Sequence, residues 1–143
     1  MTKKSIAIVT GGAGFIGSHM VDLLLSEGYE VRVLDNFSGG HEGNLRHHSE
    51  NLNLHVEKSD ICQLASNSNI FKGAKYTFHF AGIGDIVPSI EKPIEYMNTN
   101  VQGTVRVLEA SRSAGIKKFI YAASSSCYGL ATTPTREDHS ISP

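Results

Sequence analysis

The stretch VTGGAGFIGSH, residues 9–19, decides how the rest of the chain is read. It joins the apolar run IAIV (6–9) to a segment with helical spacing, and Gly11, Gly14 and Gly17 recur at every third position through the join. A short apolar run bounded by a turn reads as a buried strand. Ile16, Met20, Leu23 and Leu24 then place apolar side chains on one helical face, up to a stop at Gly28. Glycine costs more backbone entropy than any other residue in either element. Three at a strand-to-helix join are explained together by a tight turn at Gly11, close approach of a ligand at Gly14, and close helix–strand packing at Gly17.

Outward from this join, strands and helices alternate. EVRVLD (30–35) is a second strand, and residues 36–50 form a polar loop with room for a short helix. LNLHVE (52–57) alternates as a more peripheral third strand, and YTFHFAG (76–82) is a fourth strand ending in glycine. Pro93 suits the first turn of a long helix that ends at Gly115, with Ile94, Met97, Val101, Val105 and Leu108 along its apolar face. These residues, with Tyr96, read as a core or interface stripe that buries apolar area. KKFIYAAS (117–124) is the fifth strand, and the last fifteen residues read as loop. The alternation predicts a doubly wound α/β fold of Rossmann type, a parallel sheet in the order 3-2-1-4-5.

In such sheets ligands gather beyond the carboxyl ends of the strands. There the free amides and the dipole of a helix N-terminus favour an anion such as a pyrophosphate. Asp35 closes the second strand eighteen residues beyond Gly17. A carboxylate there accepts hydrogen bonds from both ribose hydroxyls of an adenosine and repels a 2′-phosphate, which favours NAD over NADP. No Gly-Lys-Ser/Thr follows the glycines, which excludes a P-loop.

Composition sets the remaining bounds. At 143 residues, with 40% hydrophobic and 19% charged residues, the chain has the make-up of one soluble globular domain. A net charge of −1 gives no electrostatic reason for a nucleic-acid or anionic-membrane partner. The lysine pairs 3–4 and 117–118 read as solvated flanks of strands. The start MTKKSIAIVTGG mimics a signal peptide, but its apolar run is too short for one, and no window reaches the length of a membrane span. Cys62 and Cys127 lack metal-like spacing and read as reduced thiols of a cytoplasmic protein. The adjacent His47 and His48 read as solvent-exposed rather than as metal ligands, and no metal site is expected. His79 reads as a packed core histidine.

TGGAGFIGSH (10–19), LDN (34–36), DI (60–61), HFAG (79–82), NTNVQGT (98–104) and SSSCYG (124–129) together resemble the extended short-chain dehydrogenases. Within them the chain is most similar to the nucleotide-sugar epimerase/dehydratase group, on the side of UDP-glucose 4-epimerase-like members. The motifs run in family order and cover nearly the whole length.

The resemblance implies roles residue by residue. Phe15 and Ile16 present backbone amides to the pyrophosphate, and Asp35 and Asn36 hold the adenosine ribose and its surroundings. Asp60 accepts from the adenine amine, with the Ile61 backbone beside it. On the residues alone, Asp60 is equally an ordinary helix cap. Phe80, Ala81 and Gly82 line the cofactor, and Asn100 matches the family asparagine near the active-site backbone. Ser124, four before Tyr128, occupies the place of the active-site Ser or Thr, although three serines in a row also make a plain polar turn. Gly84 stands where several 4-epimerases carry lysine, and Ser125 and Ser126 stand where dehydratases usually carry an acidic pair. These departures weaken the choice of substrate and favour epimerase over dehydratase.

Family enzymes take a hydroxyl proton with a tyrosine whose pKa is lowered by a lysine four residues on. The residues four beyond Tyr29, Tyr76, Tyr96, Tyr121 and Tyr128 are Val33, Phe80, Asn100, Ser125 and Thr132. No Tyr-x-x-x-Lys pair is present. Residues 1–143 are therefore expected to be the N-terminal, NAD-binding part of a longer enzyme, without the region that binds a nucleotide-diphosphate sugar. Alone they should bind NAD and turn nothing over, and an uncovered strand edge should make them marginally stable or self-associating. The whole enzyme is expected to be a homodimer. The competing readings are a 4,6-dehydratase or reductase of the same group, or a non-catalytic NAD sensor, which would have no use for Ser124.

Overall fold

A computed structural model of the chain describes residues 4–142; Met1, Thr2, Lys3 and Pro143, and with them the very start of the signal-like segment and one lysine of the 3–4 pair, lie outside the described residues. β1 (Ile6–Thr10) is buried along its whole length and lies between β2 (Glu30–Asp35) and β4 (Tyr76–His79). β3 (Leu54–Lys58) and β5 (Lys118–Tyr121) form the edges. All pairings are parallel and the order is β3-β2-β1-β4-β5, as the alternation predicts. β1 is an uninterrupted apolar run because it is buried on both sheet faces.

Its alternate side chains feed two cores. Ala7 and Val9 meet Val31 and Val33 under Val21 and Leu24 of α1 (Phe15–Ser26). Ile6 and Ile8 meet Leu34, Ile61, Phe71, Val107 and Ala110 on the opposite face.

β3 begins two residues later than its alternation suggests. The Leu54 amide donates to the Asn51 carbonyl, and the Asn53 amide to the Asn51 side chain, so residues 51–53 make a turn and Leu52 is fully exposed. β5 likewise stops at Tyr121 rather than at residue 124.

The long helix expected from Pro93 is a composite. A short α2 (Ile86–Glu91) precedes α3 (Pro93–Tyr96), which runs through a π-helical segment, Met97–Gly103, into α4 (Thr104–Ser113). Of the two readings of its apolar stripe, core or interface, the structure removes the first for the large side chains. Ile94, Met97, Val101, Val105 and Leu108 are between 42% and 75% exposed. The side facing the sheet is built instead from the smaller Gly103, Val107, Ala110 and Ser111. Small side chains let the helix sit close on the sheet, and a Cβ at Gly103 would come within 2.7 Å of the Ile61 side chain. The composite helix is thus apolar on two sides, one packed and one bare.

Candidate functional site

The β1–α1 join has no spare room. Gly11 adopts φ +68°, and its amide donates to the Leu34 carbonyl at 2.8 Å. A Cβ there would lie 2.6 Å from the Ala81 nitrogen. A Cβ at Gly17 would overlap the Gly11 carbonyl, so this glycine sets how closely α1 approaches β1. Gly14 differs: its Cβ would meet one atom, the Gly11 oxygen at 3.2 Å, and its remaining side opens on a cleft. The Gly14 carbonyl accepts the first helical bond, from Ser18, leaving the amides of Phe15, Ile16 and Gly17 outside the intrahelical ladder. Phe15, Ile16 and Gly17 do not line the cleft, and the side chains of Phe15 and Ile16 are exposed, so what these residues offer it is their free amides at its edge. The cradle fits a pyrophosphate: a bare approach at Gly14, free amides and the positive end of a helix dipole.

The cleft has a volume of about 600 Å³, and Asp35 lines it. The Asp35 carboxylate is buried and fixed from both sides. Oδ2 accepts the Ala13 amide at 2.9 Å and Oδ1 the Phe37 amide at 2.8 Å. A carboxylate offers about four acceptor sites, so each oxygen keeps one beyond these backbone bonds. Asn36 lines the same cleft, with Oδ1 accepting from the amide and hydroxyl of Ser38.

The opposite wall comes from the turn after β3. Asp60 Oδ1 accepts the Cys62 amide at 2.8 Å, so Asp60 does cap its short 3₁₀ turn while still lining the cleft. Ile61 reaches the cleft beside it, though its side chain belongs to the core. Burial pushes the Cys62 thiol up; a hydrogen bond with Thr99 opposes this, and the neighbouring Asp60 reinforces it. The thiol stays protonated and directed at the Asn98 carbonyl, and both cysteines are free.

Phe80, Ala81 and Gly82 line the cleft at the end of β4, followed by Ile83. Asn100 stands behind them. Its Oδ1 accepts the Ile83 amide at 2.8 Å and its Nδ2 donates to the Ile83 carbonyl at 2.9 Å. Its role is to hold the loop.

Under the loop lies a buried relay. Thr104 Oγ1 donates to the Asn100 carbonyl at 2.7 Å, so it accepts from His79 Nε2 at 2.9 Å. His79 Nδ1 must then accept from Thr10 Oγ1 at 2.6 Å, and Thr10 Oγ1 meets the Ala81 amide at 3.4 Å. The ring is almost wholly buried, and burial lowers its pKa from 6.5 to about 4, so it is the neutral Nε2–H tautomer. The packed-histidine reading holds, with a positioning role added.

Ser124 stands apart from these residues. It caps a 3₁₀ turn (Ser125–Tyr128), accepting the Ser126 amide and donating to the Ser126 hydroxyl at 3.0 Å, and it does not line the cleft.

Several residues of the cleft escaped sequence reasoning, among them Gly40, Asn98 and Thr99. Gly40 packs so closely that a Cβ would come 2.9 Å from Ala13 and 3.0 Å from Asp35 Oδ2. Asn98 and Thr99 reach the cleft from the π-helical segment. The NTN run was a visible signal, since polar residues interrupt an otherwise apolar helix there. Gly40, one of three glycines in the polar loop 36–50, was not.

The NAD dependent epimerase/dehydratase family model matches residues 7–143. The UDP-glucose 4-epimerase of Mus musculus is 37% identical over 132 residues, covering 85% of this chain and 38% of that protein. The structure of a UDP-N-acetylglucosamine 4-epimerase from Methanobrevibacter ruminantium, in complex with UDP-N-acetylmuramic acid, superposes with a TM-score of 0.84 at 33% identity, over 99% of this chain and 45% of that one. A dTDP-glucose 4,6-dehydratase from Streptomyces venezuelae, with NAD and TYD bound, gives 0.84 at 31% identity, over 96% of this chain and 45% of that one. The chain therefore spans less than half the length of these relatives. It belongs to the NAD-dependent epimerase/dehydratase family.

Proposed function

We propose that this chain is the cofactor-holding part of an NAD-dependent nucleotide-sugar epimerase of the UDP-glucose 4-epimerase type. The observation that carries the reading is the Asp35 carboxylate. It is pinned by the Ala13 and Phe37 amides on the cleft wall, with acceptor capacity left over for a ribose diol. Gly14 and the amides of Phe15, Ile16 and Gly17 hold the pyrophosphate, and Asp60 and Ile61 bound the adenine. Phe80 to Gly82, held by Asn100, flank the reactive end.

Bound there, NAD supplies the hydride acceptor that inversion at a hydroxyl-bearing carbon requires. Ser124 turns its hydroxyl from Ser126 to the reacting sugar oxygen. Serines at 125 and 126, in place of an acidic pair, support epimerase over dehydratase.

The proton must go to a base that residues 1–143 do not pair with a lysine four residues on. In this reading the 143 residues bind NAD without turnover, and a base and sugar-binding region in further chain complete a cytoplasmic enzyme. The bare stripe from Met97 to Leu108 supports association of two such enzymes into a homodimer. No helix among the described residues is long and apolar enough to cross a membrane.

The test is calorimetric titration of the purified chain with NAD and NADP. NAD should bind at least tenfold more tightly than NADP, and Asp35→Ala should lose that preference. Equal binding of the two, or no binding of either, overturns the reading.

A further inference from the structure

Outside the lining of the cleft, one carboxylate gathers two imidazoles. Asp22 Oδ1 lies 2.8 Å from His47 Nε2 and 2.8 Å from His48 Nε2, and the three ligand atoms fall within 4.8 Å of one another. A third imidazole stands one helical turn before Asp22, with His19 Nδ1 3.8 Å from Asp22 Oδ2. The His19 ring is edge-on to Phe15 at 5.1 Å between centroids. The residues come from two elements, α1 and the 3₁₀ turn Glu42–His48, and His48 is half-buried between them.

From this cluster we propose a binding site for a divalent transition cation of the zinc class, held by Asp22, His47 and His48 with the fourth position left to water. The donor set is the argument. Imidazole nitrogen with one carboxylate suits zinc and its neighbours, whereas magnesium and calcium call for oxygen. Zinc sits about 2.0–2.2 Å from such nitrogen and oxygen atoms. Two ligands at right angles on a common ion are then about 3.0 Å apart, and in a tetrahedron about 3.4 Å. The two carboxylate–imidazole separations of 2.8 Å lengthen by about 0.2–0.6 Å to admit the ion, and the three ligand atoms, already within 4.8 Å of one another, close round it by side-chain rotation.

The protons balance without loss. A carboxylate oxygen only accepts, so each ring carries its hydrogen on Nε2 when both face Asp22. Binding moves each hydrogen to Nδ1 of the same ring and frees the Nε2 lone pair for the metal. The ion would staple α1 to a turn in which the His41 amide and the Asn44 side chain both donate to the Ala13 carbonyl.

The test uses the purified, chelator-treated chain titrated with zinc and, for a visible spectrum, with cobalt. One equivalent should bind, with ligand-field bands of a nitrogen-containing site. His48→Gln keeps an amide that can donate to Asp22 but removes a metal nitrogen, so it should weaken binding at least tenfold while leaving the circular dichroism unchanged. His47→Gln should do the same, and His55→Gln, on exposed β3, should change nothing. Binding unaffected by H48Q and H47Q, or no saturable binding of either metal, overturns the proposal. Should H48Q unfold, H47Q, whose side chain is the more exposed of the two, decides the matter alone.

Discussion

Asn100 grips Ile83 by both ends of its carboxamide: it accepts the Ile83 amide at 2.8 Å and donates to the Ile83 carbonyl at 2.9 Å. It thereby fastens the loop after β4 to the π-helical segment. The backbone carbonyl of Asn100 takes the Thr104 hydroxyl, and the bonds through His79 and Thr10 return toward Ala81 in the same loop. The backbone from 81 to 83 is therefore held from two sides by one residue.

Asn100→Asp tests that grip. A carboxylate still accepts the Ile83 amide but has no hydrogen for the carbonyl, which it repels. An unsatisfied, partly buried pair of this kind costs about 1–3 kcal/mol. Urea denaturation should show that loss, and NAD titration should show weakened binding, because Ala81 and Gly82 line the cleft. Unchanged stability would mean that the loop is held by packing alone.

Gly17→Ala should be far worse than Gly14→Ala. At Gly17 the new methyl overlaps the Gly11 carbonyl, which is backbone and cannot swing aside. At Gly14 the single contact is 3.2 Å, and the rest of the methyl faces the open cleft. The first substitution should cost more than about 2 kcal/mol through displacement of α1. The second should cost less, about 1 kcal/mol at most, since the same carbonyl need give by only a few tenths of an ångström, and should remove NAD binding by occupying the approach of the pyrophosphate. Thermal scans with and without NAD separate the two.

His79 gives the fold a dependence on pH. Its folded pKa is about 4, against 6.5 when free, so the unfolded chain takes up the proton first. Its contribution is complete above pH 6.5 and is lost as pH falls from there toward 4. Between pH 7 and pH 5 the wild type should lose about 2 kcal/mol more than His79→Asn, which has nothing to titrate in that window. Urea midpoints at the two pH values measure the difference, and equal losses in both proteins would show that other groups control acid stability.

Local pattern was enough for whatever local pattern determines. The run IAIV, the glycines at 11, 14 and 17 and the acid at 35 specify strand, turn, helix and carboxylate through neighbours in sequence, and these stand where expected. Asp60 shows where two chemistries overlap, since one carboxylate caps a turn and also faces the cleft. Gly40 could not be foreseen, because its need for no side chain comes from Ala13 and Asp35, brought beside it by the fold. His47 and His48 looked like free surface for the same reason: Asp22 is 25 residues away in sequence. The stripe at Ile94–Leu108 was legible only as far as core or interface. Helical periodicity reports that a face is apolar and says nothing about what covers it.

That last point is testable by two neighbouring valines. Val107 is fully buried against the sheet and Val105 is half exposed on the bare stripe, although both belong to α4. Val107→Ala removes two buried methyl-sized groups and should cost about 2 kcal/mol. Val105→Ala should cost less than about 0.5 kcal/mol in the monomer, because water already reaches it. If the stripe pairs two enzymes, Val101→Glu together with Val105→Glu should leave the monomer folded and shift sedimentation to the smaller species. A symmetric contact presents the same patch from both copies, so each copy would bring two unpaired carboxylates into an apolar interface. A wild type that sediments as a monomer at every concentration would rule out pairing of two copies through the bare face.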